Sequence, residues 1–294
     1  MKKYILLPLL FLCSVAIAQQ TYSFKSNWKK GQKFYFESVV DQNIDMDLGV
    51  NTVQTITTGL ILYVKDVKPS GNLVCQITYD KMQLTSSIMQ SLGMQEAIDK
   101  AMNGLYGLGY QVEVKPNGQC LAVIGANDML RDYGVRMYPG NSPEDKFKRD
   151  EFIGKMTAQY NDSTLKAEFE NISGSFTPDA PVKVNDTWTR TTTTKLVVNK
   201  TTINTYKLEA VDGNIATVSV VTTSKADGKM IIADTDMAPD LNVEGSGTMK
   251  IDLTTGLAES STISLTANGT MENMGQVVNL NIISKTNSSQ KQVK

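Results

Sequence analysis

Asp41, Asn43, Asp45 and Asp47 occupy every second position of one short stretch. In an extended strand that spacing puts four oxygen-bearing side chains on one face. Calcium takes oxygen ligands in such numbers. The same row on a solvated strand also keeps that face wet and discourages edge pairing. The second reading is adopted here, and no metal is assigned. Asp234, Asp236 and Asp240 open like a calcium-binding loop, but Ala238 stands where a third ligand is needed and no glycine follows. Cys75 and Cys120 are the only cysteines after the first twenty residues. In an oxidising compartment they are expected to form a disulfide; the alternative is two buried thiols behaving as small apolar groups. Met82, Met89, Met94 and Met102, with Ile98, gather on or beside one helical stretch. Ordinary core packing explains them, and so does the lining of an apolar cavity that adapts to its ligand.

The chain has no histidine. That removes the commonest general base and metal ligand, and with them a Ser-His-Asp triad, a Cys-His dyad and a His-ligated zinc. Paired carboxylates can hydrolyse glycosides, but no pair stands in an aromatic or apolar setting that would shift a pKa. "NGLYGLGY" (Asn103 to Tyr110) follows a helix and precedes a strand, the reverse of a phosphate-binding order. Trp28, Trp188, Tyr35 and Tyr63 could stack on sugars, and strand starts carry such aromatics anyway. The expectation is a protein without enzymatic activity and without a cofactor.

The elements that must position these residues are mostly strands. Phe34, Phe36, Val40, Ile44, Met46 and Leu48 alternate with Glu37, Asp41, Asn43, Asp45 and Asp47, one face dry and one wet. Ile56 to Val64 and Leu73 to Tyr79 follow as strands, the turn "KPSGN" between them. Residues 87–105 carry a helical stripe, weakened at Gly93. Asn117-Gly118 turns a hairpin from Tyr110–Val114 into Cys120–Ile124. Ser142-Pro143-Glu144-Asp145 starts a helix with a capping hydroxyl, a proline and acids in the first turn. A second short helix carries Leu165, Phe169 and Ile172.

After that the chain begins again. "KKGQKFYFESVV" from Lys29 answers to "VKVNDTWTRTTT" from Val182, with Gly31 at Asn185 and Phe34 at Trp188. "ILYVKDVKPSGNLVCQITYDK" answers to "KLEAVDGNIATVSVVTTSK", and "YQVEVKPNG" to "MKIDLTTG". Three matches in one order read as an internal repeat. Cys75 and Cys120 fall at about Thr217 and Ala258 of the second copy, so both are missing there together.

Lys2 and Lys3, the apolar run Ile5–Val15 and the small residues around Ala16–Ala18 read as an export leader, with Gln19 as the mature start. Leu12 before Cys13 does not suit a lipidation site. No later stretch is long and apolar enough to cross a bilayer as a helix. Losing Lys2 and Lys3 from 29 basic residues leaves 27 against 30 acidic ones, a net charge of −3. No nucleic-acid partner is expected from that balance.

The leader ending in "AIAQQ" together with "PVKVNDTW" resembles uncharacterised secreted proteins of Bacteroidota, in which a similar Pro-Val-Lys-Val-Gly-Asp-x-Trp segment opens a β-rich second half. Asn185 stands here where that family often has glycine. The resemblance implies no activity and no site residue.

The expected fold is mainly β (α+β): two repeated antiparallel β-meanders forming curved sheets or an open half-barrel, helices packed on one face and a helical connection between the halves. The expected divisions are a leader (1–18), a first β repeat with an inserted helix (19–124), a helical connection (125–176), a second repeat (177–286) and a polar tail (287–294). The expected function is an exported, periplasmic or extracellular binding protein for an apolar or lipid-like ligand, its cavity lined by Met82, Met89, Ile98 and Met102. The other reading is a structural or envelope-associated interaction module with a solid core.

Overall fold

The computed structural model describes residues 20–293, apart from 48, 174–175, 196–197, 229, 233–234 and 274–275. The leader, Gln19 and Leu48 therefore lie outside the described residues.

Strands β1 (Lys33–Met46), β2 (Val50–Val67) and β3 (Leu73–Ser86) form a meander. Two short helices, α1 (Ser87–Ser91) and α2 (Gln95–Gly104), lead to the hairpin β4 (Gly109–Val114) and β5 (Cys120–Ile124). Helices α3 (Ala126–Met137), α4 (Pro143–Gln159) and α5 (Asp162–Ser173) follow. The chain then adds β6 (Thr187–Lys195), β7 (Val198–Asp212), β8 (Ile215–Gly228), β9 (Met230–Ile232), β10 (Thr235–Asp252), β11 (Leu257–Asn273) and β12 (Gln276–Val293). The protein is mainly β: one open antiparallel sheet runs β5-β4-β3-β2-β1-β12-β11-β10-β8-β7-β6, with β9 paired beside β10.

Alternation explains the strands. In β1, Phe34 and Phe36 are buried while Asp41, Asn43 and Asp45 face water. In β8, Ala216, Val218, Val220, Thr222 and Ser224 are buried and the residues between them are not. The other face of the sheet carries charge on several strands, including Asp41, Asp45, Lys225, Glu244 and Lys285, all exposed.

Two apolar cores sit on the inner face, at the sheet end that carries the turns 68–72, 115–119 and 253–256. The first gathers Phe34, Leu62, Ile77, Tyr110 and Val112 beneath Met129, Leu130 and Tyr133 of α3 and Leu165 and Phe169 of α5. The second gathers Tyr206, Leu208, Val218, Val220 and Ile251 with Phe176 and Phe24. The segment before β1 ties the two together: Tyr22 bridges to Val182, Phe24 enters the second core and Trp28 the first. Trp28 Nε1 also donates to the Thr255 carbonyl at 3.0 Å.

Three expectations change. The helical stripe of 87–105 is two helices, because Gly93 turns left-handed (φ 68°) between them; neither helix has a buried residue. Residues 126–137, inside the expected helical connection but not assigned a helix of their own, form α3, entered through Gly125 at φ 82°. The polar end of the chain is not a tail: Asn287–Val293 complete β12 and pair with Lys33–Val39 of β1. The start of α4 matches its signals, with Asp145 N–H donating to Ser142 Oγ at 3.1 Å and Pro143 in the first turn.

Candidate functional site

The inner face of the long strands holds a cavity of about 340 Å³. Its walls include Phe36 and Ser38 of β1, Thr58 and Leu60 of β2, Asn204 and Tyr206 of β7, Val220 and Thr222 of β8, Met249 of β10, Ile263 and Leu265 of β11 and Thr286 and Gln290 of β12. β2 and β7 are six strands apart in the sheet order. A flat sheet would hold them about 29 Å apart at ~4.8 Å per strand, so the sheet bends to bring both to one cavity.

Glycines on β10 allow the bend. A Cβ on Gly245 would lie 2.2 Å from the Ser264 carbonyl oxygen, and one on Gly247 2.4 Å from that of Thr262. β11 stands where those side chains would be, a close backbone approach that only glycine permits. Both glycines fall in register between inward residues, Gly245 opposite Thr222 and Leu265, Gly247 opposite Val220 and Ile263.

The lining mixes apolar groups with hydroxyls and amides. Several of the polar groups pair across strands: Thr222 Oγ1 donates to Asn204 Oδ1 at 2.7 Å, Ser288 Oγ to Ser38 Oγ at 3.3 Å, and the Thr202 and Ser224 hydroxyls lie 3.0 Å apart. Phe176 belongs to the lining too, and its carbonyl accepts from Trp188 Nε1 at 2.7 Å. The charged lining residues are Glu37 and Lys200. Glu37 receives the Tyr35 hydroxyl at 3.1 Å and lies 3.8 Å from Lys81 Nζ; Lys200 is exposed. Such a surface can hold a molecule with apolar and hydrogen-bonding parts.

The residues expected to line a cavity are elsewhere. Met82 of β3 packs half-buried against the first core, and Met89, Ile98 and Met102 are half-buried on α1 and α2. None of the four borders the 340 Å³ cavity. The two helices on either side of Gly93 lie along β3 and contribute no residue to the cavity wall; among the described residues, the methionine that reaches the cavity is Met249. Cys75 and Cys120 are buried free thiols, not a disulfide. Cys75 stands opposite Val112 and Cys120 opposite Val114, with β4 between them. Two strand spacings put their Cα atoms about 10 Å apart, beyond disulfide reach. Asp41 and Asp47 of the acidic row each take a neighbour's hydrogen bond, from Thr55 Oγ1 at 2.8 Å and Asn279 Nδ2 at 2.6 Å. Residues two apart on a strand diverge by about 7 Å along it, too far to close on one ion. Trp28 is buried and Trp188 stacks on Tyr206 at 5.6 Å, so neither tryptophan forms a sugar platform with Tyr35 or Tyr63 on the outer face.

One carboxyl in an aromatic setting was not expected. Glu168 of α5 faces Tyr79, Tyr110 and Tyr160 over the first core. Burial pushes its carboxyl up to about 7, and a hydrogen bond with Tyr79 draws it partly back. The signal was in the spacing: Glu168 lies three residues after Leu165 and four before Ile172, on the stripe itself. Glu170, two residues on, accepts the Cys120 N–H at 2.9 Å.

No curated protein sequence matches the chain. Among solved structures, lipovitellin, described for its lipid-protein interactions, is similar at a TM-score of 0.46 and 10% identity, over 90% of this chain and 25% of that one. The chain thus spans about a quarter of the lipovitellin chain. OpdQ of Pseudomonas aeruginosa is similar at a TM-score of 0.27 and 7% identity, over 91% of this chain and 100% of that one. OmpF of Salmonella typhi, in complex with daunomycin, follows at 0.26 and 10%, over 89% and 98%. A family model matches residues 70–258, well over half of the chain, and the protein belongs to that family, described as a family of unknown function (DUF6263).

Proposed function

We propose that this is an exported protein that holds an apolar or lipid-like molecule in the trough of its curved sheet and does not transform it. The observation that carries the reading is the cavity whose walls come from strands six apart in the sheet. The charged outer face supports a molecule bathed in water on that side, because a membrane-embedded barrel needs an apolar outward band. The absence of histidine from the chain supports a binding role over acid-base chemistry.

The trough is read as an open half-barrel made by two copies of one five-strand meander. β5-β4-β3-β2-β1 and β11-β10-β8-β7-β6 succeed one another in the sheet, with β12 between them. Bulges fall between Val64 and Asp66 in one and between Leu208 and Ala210 in the other. The Pro181–Trp188 segment, which carries the resemblance to secreted Bacteroidota proteins, opens the second copy, and 126–173 connects the two.

Purification of the exported protein, organic extraction of its contents and titration with an apolar fluorescent dye test the reading. Extractable lipid, or saturable dye binding, is expected. An empty extract together with no dye binding would leave the interaction module, recruiting a partner through its surface, as the better account.

A further inference from the structure

Gln290 is where the cavity reads polarity. Its Nε2 is shielded from water and has no hydrogen-bond acceptor among the described residues. The residue belongs to the cavity lining and stands opposite Phe36 across the β1–β12 pair. A buried amide donor without a partner is costly, and native structures satisfy such groups with protein, water or ligand. Around it the lining is uncharged: Phe36, Leu60, Ala258 and Ser288. Lys200 lies ten residues along β7 from Ala210, which the strand register aligns with Ser289 beside Gln290, and Glu37 is already engaged by Tyr35 and Lys81. An anionic head group placed at Gln290 would be buried without a counter-charge, whereas a neutral acceptor would be desolvated at small cost and gain the amide N–H.

We infer that the occupant is an amphiphile with an uncharged acceptor group, such as an ester, amide or hydroxyl oxygen, which takes a hydrogen bond from Gln290 Nε2 while its apolar chain lies along the trough. This rests on the binding reading above and names the chemistry of the ligand.

The test compares three probes on the full mature protein: an apolar fluorescent dye, monolaurin with its neutral ester head, and laurate with a carboxylate on the same chain. Displacement of the dye by monolaurin about 5- to 10-fold more tightly than by laurate is expected, the size of one buried hydrogen bond. Gln290→Leu should erase that preference, read as the ratio of the two competitors' affinities; Gln290→Glu should weaken monolaurin. If no probe binds the wild-type protein, the cavity reading fails and takes this inference with it. If the dye binds but monolaurin and laurate compete equally, or Gln290→Leu keeps the preference, the inference alone fails. Should Gln290→Leu no longer bind dye, Gln290→Met, of nearer length and also without the amide, replaces it and must likewise lose the preference.

Discussion

Gly31 and Asn185 hold the same backbone conformation just ahead of β1 and β6. Both are left-handed, at φ 88° and 75°. Gly31 donates its N–H to Val64 O at 2.8 Å and Asn185 to Leu208 O at 2.7 Å. Each is followed by a residue whose carbonyl takes the N–H of that same partner: Gln32 from Val64 at 2.9 Å, Asp186 from Leu208 at 3.1 Å. Even the side-chain supports agree, Gln32 Oε1 accepting from Lys29 N and Asp186 Oδ2 from Lys183 N. A left-handed turn entering the sheet is therefore required twice. Glycine adopts it freely, and asparagine is the residue that tolerates it best after glycine. Asn185→Gly should stabilise the protein by about 0.5–1 kcal/mol, and Asn185→Val should destabilise it by more than that. Thermal melts of both variants check this, and a lower melting temperature for Asn185→Gly would contradict it.

Glu168 should make stability fall as pH rises. Its folded-state pKa, about 7, lies above its ordinary value of 4.5 because burial disfavours the charged form. A group raised in this way binds its proton more tightly when folded. Its contribution is complete below about pH 4.5 and is lost as pH climbs through about 7. Glu168→Gln keeps an acceptor for Tyr79 and carries no charge. It should flatten the decline between pH 4.5 and 7 and leave the protein more stable than wild type at pH 8, by about 1–2 kcal/mol after allowance for the side chain's partial exposure. Denaturant midpoints measured at pH 5 and pH 8 decide it; parallel curves for the two proteins would refute the assignment.

The two cysteines should be silent until the protein unfolds. Burial pushes the Cys75 thiol up to about 12 and that of Cys120 up to about 11, so neither offers thiolate at neutral pH. On protein lacking residues 1–18, and so Cys13, a thiol reagent such as DTNB should leave the native state unmodified and titrate two groups per chain in denaturant. Reducing agent should leave the melting temperature unchanged. A shift on reduction would restore the disulfide.

What the sequence disclosed and what it concealed follow from the length scale of each signal. Strand alternation is local, and the dry face of β1 and the turn at Asn117-Gly118 could be read from neighbouring residues. The cap of α4 was equally legible, because Ser142 and Asp145 are three residues apart. The cavity was not legible, since Thr58 and Thr222 meet only through the bend of the whole sheet, and β10 reveals that bend through Gly245 and Gly247, which read on their own as weak strand positions. The methionines misled for the same reason: their gathering on or beside one helical stretch says nothing of what that stretch faces. The missing disulfide was a register question, decided by one intervening strand.

Filling the trough should abolish binding while leaving the fold intact. Ile263 faces the cavity, and its pairing partners on β10 and β12 are Gly247 and Thr286. Ile263→Trp adds volume into open space, so it should lower dye affinity at least tenfold with a melting temperature within a few degrees of wild type. Gly247→Val is the contrasting variant. Its side chain would meet the Thr262 carbonyl at 2.4 Å from Cβ, and it should destabilise the sheet by several kcal/mol. If Ile263→Trp bound dye as the wild type does, the dye site would lie elsewhere.

The last strand decides whether the halves hold together. β12 pairs with β1 along Lys33–Met46 and with β11 along Ser260–Asn273, and is the only element of the sheet that touches both meanders along their lengths among the described residues. Its final residues look dispensable because they are polar, yet Ser288, Gln290 and Gln292 lie opposite Ser38, Phe36 and Phe34. Removing 287–294 would strip the ladder from Lys33–Val39 and expose a strand edge beside two buried phenylalanines. A solvated tail would come off without effect. The truncated protein is instead expected to melt more than 10 °C lower or to aggregate on purification, whereas replacing the same residues individually by alanine at the exposed positions Ser289 and Lys291 should change stability by less than about 0.5 kcal/mol. A truncation as stable as the full chain would mean that β12 ends before Asn287 in solution.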